Sequence, residues 1–146
     1  MPEPKIDLRL RLGLREGSVY YFVDRRLTSR EPHYLIVVNR DPLSQRVVFL
    51  AVLTTNVRDA KLRRASYLET LVEFTPSKSN VFTKHCVADC NQLFDMPLRE
   101  FNERFTTGQI VYFDRDLSQD ERRRLRVAIH ASPVLPTEVK ELVALP

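Results

Sequence analysis

The chain has 146 residues, 43% of them hydrophobic, which excludes a wholly disordered protein and predicts one domain with its own core. No apolar run approaches the roughly 18 residues that cross a bilayer, and the charged N-terminal segment lacks the apolar stretch of a signal peptide. We therefore expect a cytoplasmic protein. The net charge of +4, from 23 Lys and Arg against 19 Asp and Glu, permits nucleic-acid binding without requiring it.

A charged lead-in, residues 1–16, opens the chain. Ile6, Leu8 and Leu10 alternate there with charged residues, which predicts a half-buried edge strand unless the segment is disordered. A clearer strand, residues 18–23, follows Gly17. We therefore expect the folded domain to run from residue 17 to residue 146.

The most apolar stretch of the chain predicts a central hairpin. Residues 34–38 and 47–53 are both rich in β-branched side chains, and a polar connection with Pro42 separates them. This order is typical of two antiparallel strands joined by a turn. Because both strands are apolar almost throughout, we expect the sheet to be covered on both faces.

The remaining segments predict more strands and, late in the chain, helices. Further strands are expected at residues 70–74, 84–94 and 109–113. A helical stripe of Leu98, Phe101 and Phe105 and a capping box at Ser118 and Glu121 predict helices, and a last turn follows at 137–144. The fold class expected is mainly β: a small barrel of five to seven mostly antiparallel strands with appended helices.

The two cysteines, Cys86 and Cys90, fall four residues apart in one predicted strand. At roughly 3.3 Å per residue their Cα atoms would lie about 13 Å apart, too far for a disulfide. His85 points to the opposite face of the strand, and no second pair of ligands follows at zinc spacing. We expect reduced cysteines and no metal site.

Four segments resemble, in the same order, the PemK/MazF family of bacterial toxins. They are a glycine-led first strand, a second strand ending in a polar residue, a third strand ending in threonine and a late strand leading to a Gln-Leu pair: residues 17–20 (GSVY), 34–39 (YLIVVN), 51–55 (AVLTT) and 79–93 (SNVFTKHCVADCNQL). Together the resemblance covers roughly residues 17–113, which is most of the chain.

The resemblance implies an SH3-like barrel that forms a homodimer, is neutralised by an antitoxin protein, and cuts single-stranded RNA without a metal or other cofactor. An arginine at the start of the second strand and a threonine at the end of the third act in such a family. Thr54 matches the threonine. The arginine position falls at Pro32 and His33, so the expected arginine is absent.

The residues themselves also indicate a site at the open end of the hairpin. Antiparallel pairing brings His33, at the start of one strand, near Thr54 and Thr55 at the end of the other. Histidine is suited to general acid–base catalysis. A predicted basic loop leaves this end and offers phosphate contacts, and Tyr34 is a candidate for stacking on bases; the loop residues are Arg58, Lys61, Arg63 and Arg64.

Three functions remain open from the sequence. The first is an RNA-cleaving toxin, with His33 taking the place of the missing arginine. The second is a non-catalytic module that binds nucleic acid or protein on the same barrel. The third is a housekeeping protein whose barrel binds another protein. Each candidate residue also has an ordinary structural role, since threonines suit strands and basic runs are usually solvated.

Overall fold

A computed structural model of the chain describes residues 5–27, 31–78 and 80–146. Its six strands are β1 (Val19–Phe22), β2 (His33–Val37), β3 (Val47–Thr54), β4 (Leu71–Phe74), β5 (Cys86–Pro97) and β6 (Val111–Phe113). They pair antiparallel in the order β4-β5-β3-β2-β1-β6. The mainly β class is confirmed, but the described strands form an open sheet with edges at β4 and β6.

The helices are α1 (Leu8–Gly13), α2 (Pro42–Gln45), α3 (Val57–Arg63), α4 (Leu98–Thr106), α5 (Gln119–Ala131) and α6 (Thr137–Glu141), with a 3₁₀ helix at Ala65–Thr70. The capping box predicted from Ser118 and Glu121 opens α5, and both of its hydrogen bonds are present. Leu98, Phe101 and Phe105 are buried on α4, as their spacing predicts.

The central hairpin is confirmed. Leu35 of β2 pairs with Val52 of β3, and Val37 pairs with Leu50. Its turn is closed by the buried side chain of Asn39, whose amide donates to the Val47 carbonyl at 2.8 Å. The Asn39 side-chain oxygen accepts from the Phe49 amide at 3.0 Å. Asn39 lies two residues past the end of β2, and its side chain replaces backbone pairing at the turn.

Both faces of the sheet are covered, as expected from central strands that are apolar almost throughout. Ile36 belongs to a core cluster under α5, together with Leu125 and Ile129. Leu35 and its neighbours on the opposite face pack against α1 and α4 in a second cluster, which also contains Leu10, Leu14, Tyr20, Val37, Leu50, Met96 and Phe101. The central strands β2 and β3 lie between the two clusters.

The edge strand predicted in the lead-in is wrong, because the segment forms α1. Leu10 and Leu14, four residues apart, are fully or almost fully buried, whereas Leu8 and Leu12 are 68% and 69% exposed. Alternating leucines thus contain a helical set at i and i+4, and this set faces the core. Asp7 caps the helix by accepting from the Arg9 amide at 2.8 Å.

Candidate functional site

A cleft of about 320 Å³ opens where β2 begins and β3 ends. His33 and Thr54 both line it, so the structure brings together the two residues that hairpin geometry predicts to be neighbours. Thr55 is exposed just past β3 and is not among the lining residues. The rest of the lining comes from the β1–β2 loop, α3 and β5: Arg26, Leu27, Val52, Arg63, Asp89, Gln92, Leu93 and Phe94.

The imidazole of His33 is held by backbone at one nitrogen only. Its Nδ1 lies 3.4 Å from the Leu53 carbonyl oxygen, a long contact that favours a proton on Nδ1. Its Nε2 is enclosed and has no hydrogen-bond partner among the described residues. A buried polar atom without a partner is costly, so Nε2 gains a hydrogen bond when the imidazole turns toward a ligand in the cleft.

The hydroxyl oxygen of Thr54 accepts a hydrogen bond from the amide of Asn56 at 3.1 Å. This contact fixes the side chain as β3 ends, while Asn56 goes on to cap α3. Because an accepting hydroxyl keeps its own proton free to donate, Thr54 can offer a hydrogen bond into the cleft.

A bulge in β5 forms another part of the cleft wall. Between the pairs Ala51–Leu93 and Leu53–Ala88, residues 89–92 of β5 face Val52 alone. Bulges bend a strand and re-aim its side chains. This one brings Asp89 and Gln92 to the cleft.

Buried polar side chains hold the bulge in place. Asp89 accepts from Arg64 Nε at 2.9 Å and from the Asn91 side-chain amide at 2.8 Å. Asn91 also donates to the Thr70 hydroxyl at 2.7 Å and accepts from the Ser132 hydroxyl at 2.7 Å. Since Ser132 ends α5, this network ties the C-terminal helices to the cleft wall. The sequence analysis missed it.

The predicted basic loop is wrong: these residues lie on helix α3 and just after it. Lys61 pairs with Glu73 at 2.6 Å, and this hydrogen bond lowers the pKa of the Glu73 carboxyl. Arg63 pairs with Asp59 at 3.4 Å and lines the cleft. The side chain of Arg64 is only 15% exposed and is engaged by Asp89, so it is a structural cation rather than an exposed loop charge.

Arg58 is exposed on α3, outside the cleft lining. Tyr34 lies on the other face of the sheet from the cleft. Its ring contacts the rings of Tyr21 and Phe113 at centroid distances of 4.9 and 5.5 Å. That face is the cluster under α5, which Tyr34 helps to fill.

A cation that the sequence analysis passed over, Arg26, lines the cleft. The Asp24 carboxylate accepts from Arg26 Nε at 3.2 Å and from Arg104 at 2.6 Å. Burial acts to raise the pKa of Asp24, but hydrogen bonds from the Arg26 amide and from both guanidinium groups outweigh burial and lower it. Nη2 of Arg26 also lies 3.9 Å from the exposed carboxylate of Glu100, so two carboxylates and two arginines meet beside the cleft.

Across the described ranges, no group of three His, Cys, Asp or Glu side chains is arranged to hold a metal ion. Cys86 and Cys90 are buried free thiols, and burial raises the pKa of Cys86 to about 11. No helix in the described part of the chain is long and apolar enough to span a membrane.

No protein-family model and no curated protein matches the chain by sequence. Solved structures match its fold. One is an endoribonuclease in complex with its cognate antitoxin from a mycobacterial species, with 14% identity, a TM-score of 0.52, and coverage of 84% of this chain and 96% of that one. Another is the Mycobacterium tuberculosis toxin MazF-mt6, with 17% identity, a TM-score of 0.49, and coverage of 78% and 94%. At 14% identity the first match establishes a similarity of fold and nothing more. It supports the MazF/PemK-like fold that the sequence predicts.

Proposed function

We propose that this chain, which has a MazF/PemK-like fold, is a toxin of that family: a metal-independent endoribonuclease that cuts single-stranded RNA. The observation that carries the proposal is the meeting of His33 and Thr54 in one cleft, with Nε2 of His33 lacking a partner among the described residues. Arg26 and Arg63, which line the same cleft, add the positive charge that a phosphodiester substrate requires.

The chemistry assigned to each group follows from its surroundings. Once the imidazole of His33 turns toward the substrate, its Nε2, which has no partner among the described residues, takes the proton of the ribose 2′-hydroxyl, whose oxygen then attacks the adjacent phosphorus. Thr54 donates a hydrogen bond to a phosphate oxygen. Arg26 and Arg63 stabilise the negative charge that grows on the phosphorane. The bond to the 5′-oxygen breaks, and a water molecule protonates that oxygen, leaving a 2′,3′-cyclic phosphate and a 5′-hydroxyl.

The proposal extends to partners and location. The family resemblance supports a homodimer, an antitoxin protein that neutralises the toxin, and an RNA substrate met in the cytoplasm. The matched endoribonuclease was solved with its cognate antitoxin, which is in keeping with such a partner. A neighbouring reading frame that encodes a short protein with an acidic tail would supply that antitoxin.

The test is an RNA-cleavage assay with purified protein, EDTA and a long unstructured RNA. We expect cleavage to persist in EDTA, to leave cyclic phosphate ends, and to fall about 100-fold or more in His33→Ala. Thr54→Val should also slow cleavage, because it removes the hydroxyl at nearly constant volume. The matched controls are His85→Ala and Thr55→Val, since both residues are exposed and lie outside the cleft lining. If wild type and His33→Ala leave the RNA equally intact, the proposal that the protein is an endoribonuclease is rejected.

The second candidate function is a non-catalytic module that binds single-stranded nucleic acid or protein in the same cleft. It is favoured by one specific observation, the histidine at the position where the family has arginine. Binding of an uncut RNA that weakens in Arg63→Ala, without cleavage by wild type under any ionic condition, would favour it.

A further inference from the structure

The guanidinium group of Arg26 lies over an aromatic ring at the cleft. Its central carbon is 3.9 Å from the centroid of the Phe94 ring. Phe94 is half-buried at the cleft wall, and the Arg26 side chain remains 47% exposed. The ring therefore covers one side of the guanidinium, while 47% of the side chain stays open to a ligand.

Several contacts fix this plane before any ligand arrives. Asp24 accepts from the backbone amide of Arg26 at 2.9 Å and from its Nε at 3.2 Å. Nη1 of Arg26 donates to the Asp95 carbonyl oxygen at 3.1 Å. Asp24 is in turn held by Arg104 from α4. A side chain already ordered in this way loses little conformational freedom on binding, which favours affinity.

The plane lies in the cleft that holds the proposed catalytic groups. Arg26, Phe94, His33 and Thr54 all line the same space, whose volume of about 320 Å³ is at the lower end of small-ligand pockets. Such a volume suits one nucleotide rather than several. Unpaired bases commonly stack on arginine planes and aromatic rings, and this stacking requires that the base be free of a partner strand.

We propose that the side of the Arg26 guanidinium turned away from Phe94 is the subsite on which a nucleobase next to the reacting phosphodiester stacks. The inference rests on the proposed function and adds to it the reason why the substrate is single-stranded. Arg26 then has two roles, since its plane binds the base while its charge faces the phosphate. The base contributes binding through its face, so the subsite tolerates different base identities.

The test uses two ten-nucleotide oligomers of 2′-O-methyl RNA that cannot be cleaved, one of mixed sequence and one of the same length without bases. Fluorescence anisotropy gives the affinity of each. We expect wild type to bind the base-containing oligomer about tenfold or more tightly than the abasic one. Arg26→Lys keeps the charge and loses the plane, so it should lose most of this ratio while binding the abasic oligomer like wild type. Phe94→Leu should also lower the ratio.

Arg25→Lys is the matched control, because Arg25 is an exposed neighbour outside the cleft lining, and its ratio should not change. Thermal melting verifies that each variant is folded. An unchanged ratio in folded Arg26→Lys, or equal binding of both oligomers by wild type, overturns the subsite. Since the probes cannot be cut, a base-dependent ratio with no cleavage of ordinary RNA rejects the enzyme and keeps the subsite. Cleavage of ordinary RNA together with an unchanged ratio in Arg26→Lys rejects the subsite and keeps the enzyme.

Discussion

Asp24 and Arg104 lie 80 residues apart in sequence and form a hydrogen bond of 2.6 Å that joins the β1–β2 loop to α4. The Asp24 carboxylate is buried, and its other oxygen holds Arg26. The loop that carries Arg26 into the cleft is thus anchored to the helix that covers one core cluster. Positioning of the cleft cation and stability of the fold depend on the same carboxylate.

The first prediction concerns acid stability. The pKa of Asp24 is lowered in the folded protein, so its contribution to stability is present above the unfolded value of about 3.9 and is lost as pH falls through the folded pKa. Asp24→Asn removes the charge at constant shape and should destabilise the fold by about 1–3 kcal/mol at pH 7. Urea unfolding at pH 7 and between pH 5 and pH 2 measures both effects.

Asp114→Asn serves as the control for Asp24→Asn. Asp114 is exposed, and its replacement should change stability by no more than about 0.5 kcal/mol. The variant without Asp24 should lose less stability on acidification than wild type does. If the stability of wild type and of Asp24→Asn fell in parallel with pH, the lowered pKa of Asp24 would not be a source of stability.

The second prediction separates two glycines with the same backbone conformation. Gly17 has φ 88° and Gly108 has φ 82°. A Cβ on Gly17 would lie 2.5 Å from Cδ of Arg122, whereas a Cβ on Gly108 meets no described atom within 4 Å. Gly17 is also hydrogen-bonded to Val37 and Leu117, so its backbone has little room to shift.

Gly108→Ala should therefore cost only the backbone strain, about 1–2 kcal/mol. Gly17→Ala should cost more, because crowding against Arg122 adds about 1–3 kcal/mol to the same strain. Chemical denaturation of both variants measures the difference. Equal losses would mean that Arg122 moves aside freely.

The third prediction tests the network behind the cleft wall. Ser132 is 1% exposed, and Ser132→Ala leaves the buried side-chain oxygen of Asn91 without the hydroxyl that it accepts from. We expect a loss of about 1–3 kcal/mol. Hydrogen exchange of the amides in the β5 bulge, residues 89–92, should also become faster. Ser66→Ala, at an exposed serine, should change neither quantity. Unchanged hydrogen exchange of these amides in Ser132→Ala would show that the C-terminal helices do not stabilise the cleft wall.

Much of the fold follows from local patterns in the sequence. The hairpin could be predicted because residues 34–38 and 47–53 are apolar on both faces, and α5 because its capping box is a local signal. The helix in the lead-in could not be predicted. Leucines at alternate positions fit the period of a strand, and every second leucine also fits the period of a helix. Only the packing of Leu10 and Leu14 against the core decides between them.

The site was predictable only where hairpin pairing determines it. His33 and Thr54 meet because antiparallel strands bring their ends together. Asp89 and Gln92 could not be placed, since they reach the cleft through a bulge that no sequence motif marks. Arg26 could be found only once its ring partner, Phe94, was known to lie nearby. The basic run was misread because charge alone does not tell a paired arginine from a free one.

The last prediction concerns Arg63 and Arg64, two adjacent arginines at the end of α3 that have different surroundings. The Arg63 side chain is 47% exposed and its only described ion pair is with exposed Asp59, a kind of pair that contributes little to stability. Arg63→Ala should leave stability within about 0.5 kcal/mol of wild type. Because Arg63 lines the cleft, the variant should bind single-stranded RNA more weakly, with a salt slope reduced by about one unit.

Arg64→Ala should behave in the opposite way. The side chains of Arg64 and Asp89 are 15% and 9% exposed, so removal of the guanidinium leaves a buried carboxylate without its counter-charge. Breaking such a pair costs about 3 kcal/mol or more, and the bulge that carries Gln92 should loosen with it. Urea unfolding and titration of a fluorescent RNA at several salt concentrations, applied to both variants, separate the two roles. Similar destabilisation by both substitutions, or an unchanged salt slope in Arg63→Ala, would show that the two arginines do not divide the work between binding and structure.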